Sequence, residues 1–379
     1  MLAAFFDNPE LMFMTIGALV GVAASVLGAF LVLRGTSLYT DAISHSVLLG
    51  IVLVYLATGE VNSPYQLVGA AAAGLLTVYL SELLTSSRLL KRDAAVGLVF
   101  PALFALAMLL IGLYARRVHI DADAVLLGEL AFAWLDTVPI GEYAVPRSLV
   151  TMGIIALADV LFVGLFFKEL KLATFDAGLA RALGFRPRLL FYGLLFLTSV
   201  TAVGAFDAVG AVLFIALVIV PPAAAHLLTD RLWLMVIGGG AIALFASAGG
   251  YWAAMRWDVS IGGMMAVVNG LILLAAFFLG PRHGLLARLL RGRRQRAEAH
   301  VRMLLVHLYT HEGDEQAERE NAALALEHHL RWPAEQARRV VAQAEALGLV
   351  TSEPEGQRLH LTGAGREAAR EVLEPWRRR

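Results

Sequence analysis

The sequence predicts an all-α polytopic membrane protein of about eight to nine transmembrane helices, carrying a small cytoplasmic domain at its C-terminal end. Three observations predict this. Of the 379 residues 59% are hydrophobic and the mean hydropathy is +0.70, too apolar for a soluble domain. Residues 1–280 hold 31 charged side chains and residues 281–379 hold another 31, so one body suits lipid and one suits water. Within the first body, nine apolar runs approach the ~20 residues that a helix needs to cross a bilayer.

In order, these runs are 13–33, 39–57, 65–84, 94–114, 146–167, 189–206, 208–228, 232–254 and 259–280. The stretch 119–138 is apolar only in its middle and reads as an interfacial or re-entrant helix. Residues 168–188 are amphipathic and too polar to span, so they form either a connector or a docking element. With nine spans and the N-terminus outside, the inner loops hold Arg34, Arg88, Lys91, Arg92, Lys168, Lys171, Arg181, Arg186, Arg188 and Arg231. The outer loops hold only Arg116, Arg117, Arg147 and Arg256. Enrichment of Lys and Arg in cytoplasmic loops favours this orientation. The basic run Arg282 to Arg296 then anchors the C-terminal body inside. Asp7 and Glu10 stand where a leader would be basic, so no cleaved leader is expected. The domains are expected as a transmembrane domain over 1–282, a basic juxtamembrane linker over 283–298 and a cytoplasmic domain over 299–379.

In the last body, helices are expected at 299–309, near 317–330 and at 334–347. A hairpin-like stretch pairs Val350-Thr351-Ser352 with Arg358-Leu359-His360-Leu361 around Glu355-Gly356. A final helix follows Thr362, whose hydroxyl suits an N-cap. Three helices, a small wing and a terminal helix is the winged-helix order.

Several chemistries are excluded. There is no cysteine, hence no disulfide, zinc–thiolate site or iron–sulfur cluster. The lysines are Lys91, Lys168 and Lys171, none after a glycine, so no phosphate-binding G-x-x-x-x-G-K-[ST] loop exists. No H-E-x-x-H, G-x-S-x-G or dinucleotide glycine pattern occurs, and the chain is not expected to be an enzyme or to hold a cofactor. If transport is ATP-driven, another chain must supply the ATPase.

Halfway into the second apolar stretch, Thr40-Asp41-Ala42-Ile43-Ser44-His45-Ser46 places a carboxylate and an imidazole one helical turn apart on one face. Ionisable residues inside a span cost a few kcal/mol unless they face protein or water. Two readings stand: a metal path through the bilayer, or a helix cap at Asp41 with His45 satisfying a buried carbonyl.

These residues, with Arg34 to Leu38 before them and Gly50 after, resemble the signature of the permease subunits of ABC-3 type metal ABC importers, which take up manganese, zinc or iron. Asp93-Ala94-Ala95-Val96-Gly97, Leu126-Leu127-Gly128-Glu129-Leu130 and Val209-Gly210-Ala211-Val212-Leu213 through Pro221 to Ala225 resemble further family segments, in the same order. Leu127 stands where the family usually has Phe, and Pro222 doubles its single proline. The resemblance implies a fold like that of the vitamin-B12 importer, with Asp41 and His45 as metal ligands. It implies that Phe175, Asp176, Ala180 and Gly184 belong to a coupling helix seated in an ATPase. The implied partners are ATP-binding ATPase subunits, an extracytoplasmic solute-binding protein, a second permease copy in a homodimer, and the lipid of the cell membrane. Two-fold symmetry would supply two carboxylates and two imidazoles, a set suited to Mn(II), Zn(II) or Fe(II).

Gly348 to Arg366 resembles the DNA-binding half of diphtheria-toxin-repressor-type regulators. Such an extension tilts the implied substrate toward manganese or iron, with manganese favoured overall. Residues 281–379 carry 17 arginines against 14 acidic residues, no basic footprint for nucleic acid. A membrane-anchored metal sensor or transcription regulator is the alternative function, and a proton-driven transporter is a third. Asp159 and Asn269 read as hydrogen-bonded packing groups, Asp207 as a cap, and His226 as lying at an inner helix end. His119, Asp121, Asp123 and Glu129 read either as a cation funnel or as a rim for the binding protein. His300, His307, His311, His328, His329 and His360 read as surface histidines without a site, with a metal sensor as the alternative.

Overall fold

The computed structural model describes residues 8–60, 65–114, 130, 136–141, 143–312, 326, 329–353 and 358–377, and the chain divides into two compact units, Met1–Gly284 and Leu285–Arg379. Among the described residues, nine helical stretches are long and apolar enough to cross a membrane. They agree with the nine predicted runs to within a few residues.

The first unit is built around α1 (Pro9–Leu33). Its start is fixed by Asn8, whose side-chain oxygen accepts from Glu10 N at 3.0 Å, and by Pro9 at the first helical position. Next come α2 (Leu38–Thr58), α3 (Tyr65–Ser86) and α4 (Arg92–Tyr114), which pack on one another. After β1 (Thr137–Ile140) and β2 (Tyr143–Pro146) follow α5 (Arg147–Leu165), α6 (Phe167–Phe175), α7 (Ala177–Ala182), α8 (Pro187–Leu228), α9 (Leu232–Trp257) and α10 (Ile261–Leu279). Helix α1 is the innermost, packed against α5, α8 and α9. At Gly28 a Cβ would lie 1.9 Å from the Val218 carbonyl oxygen, so α1 and α8 meet backbone to backbone and no larger residue fits.

Helix α8 is one run of 42 residues in its hydrogen bonding, about 63 Å if straight, twice the ~30 Å of a hydrocarbon core. Gly210 breaks it, with φ 77° and ψ 166°, a backbone state that is essentially restricted to glycine. The break falls near the start of the second of two spans, Pro187–Phe206 and Ala208–Leu228.

Two expectations are revised. Where an interfacial or re-entrant helix is expected over 119–138, the last two residues, Thr137 and Val138, are strand instead: Thr137 to Ile140 pairs antiparallel with Tyr143 to Pro146. The reason is local. Pro139 and Pro146 interrupt helical hydrogen bonding, and Gly141 turns at φ 64°. Arg147 closes the hairpin onto Asp136 with a backbone bond of 2.8 Å and a side-chain pair at 3.3 Å. Of that stretch, residues 119–129 and 131–135 lie outside the described residues, and with them His119, Asp121, Asp123 and Glu129. The linker expected over 283–298 is helical from Leu285, because Leu, Ala, Arg and Gln are good helix formers and Gly292 alone interrupts them.

The second unit comprises α11 (Leu285–Thr310), α12 (Ala334–Ala346), the hairpin β3 (Val350–Ser352) with β4 (Leu359–Leu361), and α13 (Gly363–Arg377). Leu304, Leu305 and Leu308 of α11 bury against Val340, Val350, Leu359 and Leu361. Thr362 caps α13, its hydroxyl accepting from Gly365 N at 3.0 Å. The helix expected near 317–330 and the Glu355-Gly356 turn fall mostly outside the described residues.

Gly210→Ala should destabilise the chain by about 1–3 kcal/mol, through the strain of a Cβ at that φ/ψ. Gly240→Ala, in a helix where a Cβ meets nothing within 4 Å, should be neutral or slightly stabilising. Thermal unfolding of both variants in detergent checks the contrast.

Candidate metal centre

Asp41 and His45 are together, though not halfway along their helix. Helix α2 begins at Leu38 with Ser37 at its cap position, so Asp41 sits in the first turn and is not the cap. His45 Nε2 lies 3.4 Å from Asp41 Oδ1, with the two side chains 31% and 35% exposed. The imidazole stacks on Phe100 at 5.6 Å with an interplanar angle of 22°, and meets the edge of Phe104 at 6.1 Å. Both phenylalanines belong to α4. Further along α2, Leu48, Leu49 and Val52 are buried against Ala107 of α4. The Asp41–His45 pair is thus a polar opening on a face that apolar contacts otherwise cover. Two donors do not saturate a metal ion, and among the described residues no group of three or more His, Asp or Glu is posed to hold one.

A model of the ABC 3 transport family matches residues 10–280. The chain belongs to that family. It is 47% identical over 359 residues to the zinc transport system membrane protein TroD of Treponema pallidum, covering 95% of this chain and 97% of that one. It is 43% identical over 276 residues to the manganese transport system membrane protein MntD of Bacillus subtilis, covering 73% of this chain and 93% of that one. Among solved structures it resembles PsaBC from Streptococcus pneumoniae in complex with Fab, with a TM-score of 0.61 and 27% identity over 75% of this chain and 98% of that one. The alignment with TroD is longer than the first unit and so runs well into the second.

In this ABC 3 chain the segment 167–184 folds as α6 and α7, separated by Asp176. The Asp176 carboxylate accepts from Leu179 N at 2.8 Å and so caps α7, and Gly184 ends the turn at φ 86°. Ala180 is fully buried, whereas Phe175, Leu179 and Leu183 are 64%, 48% and 61% exposed. The outward face is therefore made of Phe175, Leu179 and Leu183, all inside the Phe175 to Gly184 segment that the resemblance implies, while Ala180 faces inward. Helix α6 is held to α1 by Phe30 against Phe167 at 6.3 Å and by Arg34, which donates to Ala173 O at 3.4 Å and lies 4.4 Å over the Phe191 ring. Burial lowers the Arg34 pKa; the charge of Arg92 adds to this and Glu82 opposes it. A cavity of about 1300 Å³ opens beside Arg34, lined by Arg92, Arg181, Arg186 and Arg188 as well as Glu82. Five guanidiniums against one carboxylate repel a cation rather than store it.

The other polar groups in the spans are partly satisfied: Asp159 and Asn269 each have one buried partner and each keep one buried oxygen without one. Thr201 Oγ1 donates to Asp159 Oδ2 at 2.7 Å, and Asn269 Nδ2 donates to Met265 O at 3.0 Å, both fully buried. His226 stacks on His283 at 5.9 Å, and His283 Nε2 is 2.6 Å from Asp230. Bonds from His283 and Arg282 hold the exposed Asp230 carboxyl below the usual carboxylate range. The side chain of Asp207 lies outside the described residues.

Thr201→Val should cost about 1–3 kcal/mol of stability by leaving a buried carboxyl without its hydroxyl partner. The check is thermal unfolding beside metal uptake per folded molecule, which a packing role for Asp159 leaves unchanged.

Proposed function

We infer that the chain is the permease subunit of an ATP-driven importer of a divalent transition metal, Mn(II), Zn(II) or Fe(II), with Asp41 and His45 as metal ligands. One observation carries the reading: an i, i+4 carboxylate–imidazole pair, a third exposed, opens on an apolar transmembrane face. Lipid cannot cover such a pair without a cost of a few kcal/mol, so the face needs a second protein surface or a wet path. A second copy related by a two-fold axis answers both needs and doubles the donor set to two carboxylates and two imidazoles. Mixed oxygen and nitrogen donors suit these three metals and disfavour Cu(I).

The names of the relatives support a metal substrate: TroD is named for zinc, MntD for manganese, and YfeC of Yersinia pestis, 32% identical, for chelated iron. Manganese remains the favoured cargo on the resemblance of the tail, although the relative aligned through that tail is named for zinc. The regulator alternative draws no support from these relatives, each named as a membrane protein of a transport system. The chain lacks a P-loop lysine, so ATP is bound by partner subunits. An extracytoplasmic solute-binding protein delivers the metal. We propose for the second unit a winged-helix body that tunes the assembly or activity of the ATPases.

The geometry of transport follows from the ligand pair. Asp41 supplies negative charge, and His45, oriented between Phe100 and Phe104, supplies a neutral nitrogen. An ion bound there sits at the start of α2, close to the inner end of the span. The arginine-lined cavity beside Arg34 offers no competing site, so metal that leaves the pair is not recaptured on that side. Phe175, Leu179 and Leu183 form the apolar face on which an ATPase seats, and buried Ala180 fixes that face to the bundle.

Asp41→Asn and His45→Ala should each reduce uptake of Mn(II), Zn(II) and Fe(II) to background, with expression and thermal stability retained. Uptake near the parental rate in both would overturn the ligand assignment. Separately, Leu179→Glu should uncouple ATP hydrolysis from transport or release the ATPase on purification. Because Leu179 is exposed, this variant tests docking, which a charge at buried Ala180 would confound with unfolding. Normal coupled transport in Leu179→Glu would reduce the segment to a connector.

A further inference from the structure

Three histidines of the second unit come together with no part in the transport reading. His307 lies in the last turn of α11, and His311 one turn on donates its N–H to His307 O at 3.2 Å, so both rings leave the same face. His329 approaches them from the chain just before α12. The ring centroids are 4.8 Å apart for His307 and His311, 5.7 Å for His307 and His329, and 6.4 Å for His311 and His329.

These separations have a chemical meaning. A zinc–imidazole bond of about 2.0–2.1 Å puts the ion roughly 3.2 Å from each ring centroid, so two imidazoles on one ion stand about 4.5–5.6 Å apart at bond angles of about 90–120°. Two of the three pairs already stand at or close to that spacing. The third must close by about 1 Å. The ligand nitrogens do not yet converge, and a ring must turn to bring them together. His329 is exposed, and the χ2 of histidine is broad and easily turned. His307, only 9% exposed, is fixed in the packed face of α11 and sets the position of the site. The nearest described carboxylate along the chain, Glu312, is bound to Arg366 at 2.7 Å, which leaves the donor set all imidazole.

We propose that His307, His311 and His329 form a binding site for a borderline divalent cation of the zinc class in the second unit, separate from Asp41 and His45. An all-nitrogen set without carboxylate ranks Zn(II) well above Mn(II). The site stands on the ring geometry alone and does not depend on the transport reading. If both hold, the second unit responds to the class of ion that the first unit carries.

The test uses the full chain in detergent with Asp41→Asn and His45→Ala, so that the first-unit ligands are gone. Equilibrium dialysis against Zn(II) should find about one zinc per chain. Adding His329→Ala should weaken that binding at least roughly tenfold, and adding His311→Gln as well should abolish it. His300→Ala, whose ring contacts Gln336 at 3.2 Å outside the trio, should leave it unchanged. Co(II) in place of zinc should give visible absorption that disappears in the same variants. Thermal unfolding without metal confirms that each variant is folded, since His329 is a surface residue. Absence of zinc binding in the starting chain, or binding unchanged by His329→Ala with His311→Gln, overturns the proposal. Failure of the transport reading would appear elsewhere, as metal uptake that survives Asp41→Asn.

Discussion

The contact on which the first unit depends is the backbone approach of α1 to α8, where Gly28 lies against the Val218 carbonyl. In an apolar solvent helices gain little from burying more apolar surface, so close packing of small residues carries the association. That approach makes α1 the axis of the bundle. The turn that ends α1 at Arg34 then sets where α2 begins, and with it the position of Asp41. Gly210 breaks α8 just inside its second span. Val218, which meets Gly28, lies beyond that break.

Most polar side chains inside this unit are satisfied without leaving their own helix. The hydroxyls of Ser44, Thr77, Ser81, Thr198 and Ser247 each donate to the carbonyl four residues back, at 2.7–2.9 Å. Asp159 and Asn269 find one buried partner each. Asp41 and His45 differ: they lean on each other and remain part-exposed. Ser25, Tyr39, Thr40 and one carboxylate oxygen of Asp159 are buried without a hydrogen-bond partner, whereas Asp41 and His45 pair with each other and stay about a third exposed.

Much of this was legible in the sequence, and the physical reason is length. A bilayer imposes about twenty apolar residues per span, so the nine spans and their ends could be read with an error of a few residues. The i, i+4 relation of Asp41 and His45 was equally legible because it is local. Depth was legible as well, since the run 39–57 already places Asp41 two residues from its start, and the helix observed from Leu38 agrees. The hairpin at 137–146 was hidden by apolar composition, although Pro139, Gly141 and Pro146 carried the signal. Which side of α7 faces outward depends on tertiary packing, so the resemblance points to Ala180 although Leu179 and Leu183 occupy the exposed face. The histidine trio needed tertiary structure too, since His329 stands eighteen residues beyond His311 in the chain.

Arg34 joins α6 to the turn that precedes α2. Its guanidinium donates to Ala173 O of α6 and lies over the face of Phe191 in α8, while its backbone stands in the short non-helical turn between α1 and α2. One side chain thus knits three helices at the end where α2 begins, so α6 cannot move away from the bundle there without breaking a hydrogen bond and a cation–π contact.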